Sequence, residues 1–168
     1  MSLATETCAY CPRLCRHVCP VAVATAREAA TPTAIMTIQH LLELGTVEPA
    51  LATAAASLCL GCGACTAHCK VHVPVGDILR PGSAGPSAPV AAPPAELAFR
   101  LCSDLAYPGP DQLACCGRRD GFAEREPAAA AAVAAENVRR FSGRTVSVPD
   151  RDCAAWLRAH GAVIAGGT

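Results

Sequence analysis

The sequence predicts a mainly α-helical protein, and the clearest signs are two helices in its first half. Thr31 suits an N-cap, Pro32 suits the first helical position, and apolar residues recur at helical spacing until Gly45 ends the segment. A second, alanine-rich helix is predicted over Pro49–Leu58. Two short runs of cysteines flank this segment, so residues 1–80 are predicted to form one helical unit around them.

A small α/β unit is predicted in the second half of the chain. Residues 81–94 hold five prolines and little that could pack, so they are predicted to be a flexible linker. The elements predicted within residues 95–168 are, in order, a helix over Ala95–Leu105, a loop carrying Cys115 and Cys116, a helix over Pro127–Phe141, a strand over Thr145–Val148, a helix over Asp152–His160 and a strand over Val163–Ala165. This alternation predicts parallel strands.

Composition excludes several classes of protein. The 168 residues include 12 cysteines but no N-terminal basic and apolar segment that would direct export, so reduced thiols are expected and a disulfide framework is disfavoured. The 14 basic and 14 acidic residues cancel, and no basic stripe indicates nucleic-acid binding. No stretch reaches the roughly 18 consecutive apolar residues of a membrane span. We therefore expect a cytoplasmic protein that meets a membrane only through a partner.

The second cysteine run has the spacing of an iron–sulfur site. Residues 59–69 read C-x2-C-x2-C-x3-C, the run of bacterial ferredoxins, with Lys70 in place of the usual proline. Thiolates at this spacing can converge on one cluster while backbone N–H groups face its sulfides. Gly61 and Gly63 would permit the close backbone approach. The predicted ligands in this run are Cys59, Cys62, Cys65 and Cys69.

The first run is one residue longer than the ferredoxin pattern. Residues 8–19 read C-x2-C-x3-C-x3-C, followed by Pro20, and the extra residue could form a bulge or change the cluster type. In two-cluster ferredoxins the fourth cysteine of each run ligates the other cluster. Carried over here, Cys8, Cys11, Cys15 and Cys69 would bind one 4Fe-4S cluster, and Cys59, Cys62, Cys65 and Cys19 the second. Zinc is the alternative, because C-x2-C pairs also form structural zinc sites.

Residues 8–80 resemble the two-cluster iron–sulfur domain of heterodisulfide reductase subunits. They are also similar to the iron–sulfur subunits of glycolate oxidase, anaerobic glycerol-3-phosphate dehydrogenase and succinate dehydrogenase. These proteins place a helical insert between the cysteine runs, as the 39 residues between Cys19 and Cys59 do here. The resemblance implies an α-helical ferredoxin fold that passes single electrons between a flavin or thiol site and another acceptor.

The second half resembles part of the cysteine-rich CCG domain of the same proteins. The resemblance lies in Cys115-Cys116-Gly117 and in Cys153, which follows Cys116 by 37 positions. Trp156 stands where the family's last cysteine would be, and the upstream cysteine is missing from its window, with Cys102 nearer the pair. The resemblance therefore implies a truncated, degenerate domain, whose thiols Cys102, Cys115, Cys116 and Cys153 either ligate metal or remain from a lost site.

These patterns together predict an electron-transfer subunit, itself non-catalytic, with two 4Fe-4S clusters. Its partners would be redox proteins, such as a flavoprotein or another oxidoreductase subunit, because the sequence has no GxGxxG fingerprint of its own. Two alternatives stay open. One is a small thiol- or disulfide-reducing subunit that acts at Cys115 and Cys116, and the other is a zinc-binding interaction protein.

Overall fold

The computed structural model describes residues 2–12, 15–80, 116–118, 121–142, 144–146, 148 and 151–164. These residues are mainly helical. The α-helices are α1 (Leu3–Ala9), α2 (Pro20–Thr25), α3 (Pro32–Glu43), α4 (Pro49–Ser57), α5 (Ala64–His68), α6 (Val75–Leu79), α7 (Phe122–Arg125), α8 (Pro127–Arg140) and α9 (Arg151–Ala159). Short 3-10 turns at Arg16–Val18 and Glu28–Ala30 join α1, α2 and α3. The predicted linker and the predicted helix Ala95–Leu105 lie outside the described residues.

Helix α3 confirms the first helix prediction. The Thr31 hydroxyl accepts a hydrogen bond from the backbone N–H of Ala34 at 3.3 Å and so caps the helix. The helix begins at Pro32 and ends at Glu43, and Gly45 beyond it has φ of 68°. This is the left-handed conformation in which chains commonly leave a helix. The helix therefore begins and ends where the sequence indicated.

Helices α1 and α4 both pack against α3. Helix α4 confirms the second predicted helix to within one residue and leads directly to Cys59. Gln39 on α3 donates a hydrogen bond to the carbonyl of Ala52 on α4 at 3.0 Å. The sequence analysis did not predict α1, which begins after Ser2, whose hydroxyl accepts from the backbone N–H of Ala4 at 3.3 Å. Together α1, α3 and α4 hold the two cysteine runs within one helical unit.

The second half contributes to the same core. Helix α8 packs against α2, and Phe122 at the start of α7 is fully buried in the core that also contains Val21. Alanines on α8 lie in this interface, and their small side chains let two helices approach closely. The helices predicted over Pro127–Phe141 and Asp152–His160 are confirmed as α8 and α9, each within one residue.

The predicted strands are not formed by the described residues. Val146 and Ile164 make a single parallel bridge, and the Val146 N–H donates to the carbonyl of Val163 at 2.9 Å. The pairing direction agrees with the prediction, but an α/β unit is not present in the described part of residues 95–168. The predicted segments are three or four residues long, and the part of the chain that the structure describes offers them no third strand, so a pairing this small is marginal.

None of the helices that the structure describes is long and apolar enough to cross a bilayer.

Candidate metal centre

The first cysteine run follows a chain of short helical turns. Cys8 lies in the last turn of α1, and Cys11 follows that helix. Cys15 precedes the 3-10 turn, and Cys19 occupies the N-cap position of α2, where Pro20 starts the helix. The extra residue of this run falls between Cys11 and Cys15, where residues 13 and 14 lie outside the described part. The prediction of a bulge at this position therefore stays a prediction.

The second run follows a glycine-rich turn between two helices. Gly61 and Gly63 have φ of 70° and 75°, a region that side chains other than glycine rarely enter. The Gly61 N–H donates to the sulfur of Cys59 at 3.4 Å. Helix α5 then carries Cys65, and Cys69 follows its end. The glycines thus bring the backbone against the thiols, as the sequence indicated.

One set of neighbouring thiols joins three residues of the first run to the last cysteine of the second. Burial raises the pKa of Cys8 to about 12, with further increases from the charges of Cys15, Cys69 and Cys11. Burial also raises the pKa of Cys15, which Cys11 and Cys69 raise further and a contact to Thr33 lowers. Cys69 is therefore close enough to the first run to act on its thiols. We refer to Cys8, Cys11, Cys15 and Cys69 as the outer set.

The other set joins Cys19 to the first three cysteines of the second run. Burial raises the pKa of Cys19 to about 11, the backbone N–H groups of Ala22 and Val21 lower it, and the charge of Cys59 raises it. Burial likewise raises the pKa of Cys65, and Cys62, Cys19 and Cys59 add to the increase. We refer to Cys19, Cys59, Cys62 and Cys65 as the inner set.

The two sets adjoin one hydrophobic core, to which Cys62 and Cys65 belong and against which most of the other thiols pack. The charge of Cys15, in the outer set, also raises the pKa of Cys19 and Cys65 in the inner set. Cys62 and Cys65 are buried, whereas the other thiols of the two sets are partly buried. The apolar residues that surround them include Val21, Ile35, Met36, Leu60, Val75 and Phe122. Water is largely excluded from the inner set.

The histidines near the thiols contact one another or solvent. The rings of His17 and His68 meet edge to face, with centroids 4.8 Å apart. His72 is exposed and has φ of 52°. Among the described residues, no three His, Cys, Asp or Glu side chains form a group suited to a single metal ion.

The electrostatics of both sets suit a cationic group that takes four thiolates. Burial and mutual repulsion disfavour thiolate charge in each set, as the raised pKa values of Cys8, Cys19 and Cys65 indicate. Iron would offset both effects, because iron–sulfur clusters are held by four cysteine thiolates and their sulfurs accept backbone hydrogen bonds. The four thiols and nearby N–H groups of each set therefore fit a 4Fe-4S cluster.

The second half of the chain brings together one further pair of cysteines. The sulfurs of Cys116 and Cys153 lie 3.1 Å apart, and Trp156 packs beside them. The sequence analysis named both cysteines among the candidate thiols of one site, and the structure brings the sulfurs of these two into contact. Cys102 and Cys115, the other candidates, lie outside the described residues.

Comparison with protein families supports the thiol sets as an iron–sulfur site. Residues 4–73 match the family model of the 4Fe-4S dicluster domain. The match contains all eight cysteines of the outer and inner sets. It covers less than half of the chain and does not extend to Cys116 or Cys153. Searches of the curated proteins and of the solved structures found no match.

Proposed function

We propose that this protein is an electron-transfer subunit that holds two 4Fe-4S clusters and relays single electrons between partner redox proteins. The observation that carries the proposal is the match of residues 4–73 to a 4Fe-4S dicluster domain that contains eight thiols, among which burial raises the pKa of Cys8, Cys19 and Cys65. When bound, each cluster supplies a centre that accepts or gives up one electron. The chain itself supplies thiolates, backbone N–H donors and an apolar surrounding.

The proposed ligation is crossed between the two runs. Cys69 would complete the outer set with Cys8, Cys11 and Cys15, and Cys19 would complete the inner set with Cys59, Cys62 and Cys65. The charge of Cys69 raises the pKa of Cys8, and the charge of Cys19 raises the pKa of Cys65. Each of the two connecting cysteines therefore acts on the distant run, which supports this assignment. Each cluster would then be held by cysteines that precede α3 in the sequence together with cysteines that follow α4.

The outer set is the better candidate for electron exchange with a partner. Exposed side chains adjoin it in the sequence, namely Tyr10 beside Cys11 and Val71 two residues after Cys69. The inner set is enclosed more completely, since Cys62 and Cys65 are buried. We propose that a partner, such as a flavoprotein or another oxidoreductase subunit, exchanges electrons through the outer set. The likeness to heterodisulfide reductase and glycolate oxidase subunits supports this class of partner.

Anaerobic purification with iron and sulfide analysis tests the cluster proposal. Two 4Fe-4S clusters require about eight irons and about eight sulfides per chain. We expect this content, together with EPR signals that show interaction between two reduced clusters. One or two zinc ions without sulfide would contradict the proposal and favour the zinc-binding alternative.

Reduction with photoreduced flavin tests the exchange site. We expect Tyr10→Ser and Val71→Ser to slow reduction of the clusters without loss of iron, whereas Leu51→Ser serves as the control. Leu51 is also half exposed, but it lies on α4 and does not adjoin the outer set in sequence. Equal rates in all four proteins would contradict exchange through the outer set.

A further inference from the structure

Two thiols outside the outer and inner sets lie in direct contact. The sulfurs of Cys116 and Cys153 are 3.1 Å apart, although 37 positions separate the residues in the sequence. A disulfide requires a sulfur–sulfur distance of about 2.05 Å, so the two atoms need to approach by about 1 Å. Cys116 is completely buried, and Cys153 on α9 is partly exposed. The proposed electron-transfer function uses neither thiol.

Several contacts hold the segment of Cys116 against its neighbours. The indole N–H of Trp156, one turn after Cys153 on α9, donates to the carbonyl of Cys116 at 2.9 Å. Gly117 has φ of 96°, and a Cβ there would lie 2.8 Å from the carbonyl oxygen of Ala130, so this segment passes close against α8. The main-chain path therefore keeps Cys116 facing α9.

We propose that Cys116 and Cys153 form a reversible intramolecular disulfide by exchange with a low-molecular-weight disulfide. A disulfide needs two thiols, and the described residues bring two together here. Cys116 lies in a buried hydrophobic cluster against which both Cys153 and Trp156 pack.

The exchange begins at Cys153, because Cys116 is inaccessible. The Cys153 thiolate attacks one sulfur of the small disulfide, whose S–S bond breaks, and the departing thiolate takes up a proton. The Cys116 sulfur then attacks the Cys153 sulfur and breaks its bond to the small molecule, and the proton of Cys116 passes to the departing thiolate, which leaves as the second small thiol. Two protein thiols are thus oxidised to one disulfide while one small disulfide is reduced to two thiols. Excess small thiol reverses both steps.

Peptide mapping of the full chain tests the proposal. Protein purified without oxygen is equilibrated with graded mixtures of oxidised and reduced glutathione, quenched with acid, alkylated and digested with trypsin. Cys116 falls in the tryptic peptide 101–118, and Cys153 falls in the peptide 152–158. We expect these peptides to be linked in oxidising mixtures and separate in reducing ones, with two fewer alkylated thiols when linked.

The single tryptophan of the chain gives an independent signal. Trp156 contacts the pair, and a neighbouring disulfide quenches indole fluorescence. We expect the fluorescence to fall on oxidation and to recover on reduction, with the same midpoint as the peptide linkage. A fluorescence change whose midpoint differs from that of the linkage would contradict the assignment of the signal to this pair.

Three substitutions identify which cysteine sulfurs form the proposed disulfide. Cys153→Ser and Cys116→Ala should each abolish the linkage and the fluorescence change, whereas Cys115→Ser should retain both. Iron content should be unchanged in Cys153→Ser, which separates this proposal from that of the clusters. The proposal would be overturned by absence of the linkage in every mixture, by its loss in Cys115→Ser, or by zinc or iron that the Cys153→Ser protein no longer retains.

Discussion

The hydroxyl of Ser57, at the end of α4, donates a hydrogen bond to the carboxylate of Glu126 at 2.9 Å, across 69 positions of sequence. Ser57 also contacts the carbonyl of Ala54 in its own helix at 2.8 Å. The bond to Glu126 thus ties the helix that precedes Cys59 to the start of α8. The second half of the chain is anchored beside the cysteine sets by a polar contact as well as by the core.

We predict that Ser57→Ala lowers the free energy of unfolding by about 1 kcal/mol, the usual net contribution of one hydrogen bond. Thr53→Ala is a matched control, since the Thr53 hydroxyl bonds only to the carbonyl of Pro49 in the same helix. A double-mutant cycle with Glu126→Ala measures the coupling. A coupling energy near zero would show that this contact does not stabilise the junction.

Because Phe122 is buried, its substitution should lower the free energy of unfolding more than that of Ser57. Its side chain is fully buried in the core that surrounds the inner set. Phe122→Ala should cost about 3–5 kcal/mol, whereas Phe122→Leu should cost less than about 1.5 kcal/mol because it retains most of the volume. Thermal midpoints at one heating rate provide the measurement. Leu51→Ala, at a half-exposed position, should change the midpoint little, and an equally small effect of Phe122→Ala would contradict the shared core.

Gly117 and Gly45 offer a comparison between backbone strain alone and strain with a clash. Both have positive φ, but a Cβ at Gly45 meets nothing within 4 Å, whereas a Cβ at Gly117 meets the Ala130 carbonyl at 2.8 Å. Gly45→Ala should therefore cost about 1–2 kcal/mol from the left-handed backbone alone. We expect Gly117→Ala to lower the thermal midpoint by clearly more. Equal shifts of the thermal midpoint in the two variants would mean that the segment around Gly117 can move away from α8 without loss of stability.

The ion pairs of Glu136 should contribute to the free energy of unfolding by an amount that does not depend on pH near neutrality. Hydrogen bonds and charge from Arg139 and Arg140 hold its pKa at about 2, below the ordinary 4.5. Because the folded-state pKa is lowered, the stabilisation is complete above about pH 4.5 and is lost as the pH falls toward 2. The arginines are solvent-exposed or partly so, and we therefore expect Glu136→Gln to cost only about 0.5–1 kcal/mol.

The measurement for Glu136→Gln is the thermal midpoint between pH 8 and pH 5.5, with and without added salt. The difference from the unsubstituted protein should be constant across this range and smaller at high salt. Glu124→Gln, an exposed carboxylate on α7, should have no comparable effect. A difference that grows between pH 8 and pH 5.5 would contradict the ion-pair origin.

The sequence predicted local structure well where one residue type decides it. Thr31 and Pro32 mark the start of α3, and the positive φ of Gly61 and Gly63 follows from glycines placed within the cysteine run. Crossed ligation follows from the ferredoxin pattern and stays a prediction. The C-x2-C and C-x3-C spacings therefore carried most of what could be said about the candidate site.

Contacts between distant segments were not visible in the sequence. Nothing in the local pattern around Phe122 shows that it enters the core of the cysteine sets. The sequence named Cys116 and Cys153 as candidate thiols, but it did not show that their two sulfurs lie in contact. The residues around Val146 have a high propensity for β-strands and therefore predicted a strand. A strand also requires hydrogen-bonded partners, and within the described residues Val146 makes a single bridge. These features depend on tertiary packing, which local sequence patterns do not reveal.

Crossed ligation predicts which cysteine substitutions resemble one another. Cys19 belongs to the first run by sequence, but its pKa responds most strongly among the thiols to Cys59 of the second run. If Cys19 completes the inner set, then Cys19→Ala should give the same EPR spectrum of the remaining cluster as Cys62→Ala. Cys69→Ala should in turn match Cys11→Ala.

Each of these four variants should retain about four irons, since one cluster of about four is lost from about eight. The signs of interaction between two reduced clusters should disappear in all of them. Serine variants at the same positions separate loss of a ligand from damage to the fold. A serine oxygen can replace the lost ligand and restore iron, whereas it would not repair a structural defect. If the spectrum of Cys19→Ala instead matches that of Cys11→Ala, each run holds its own cluster and the outer and inner sets are wrongly assigned.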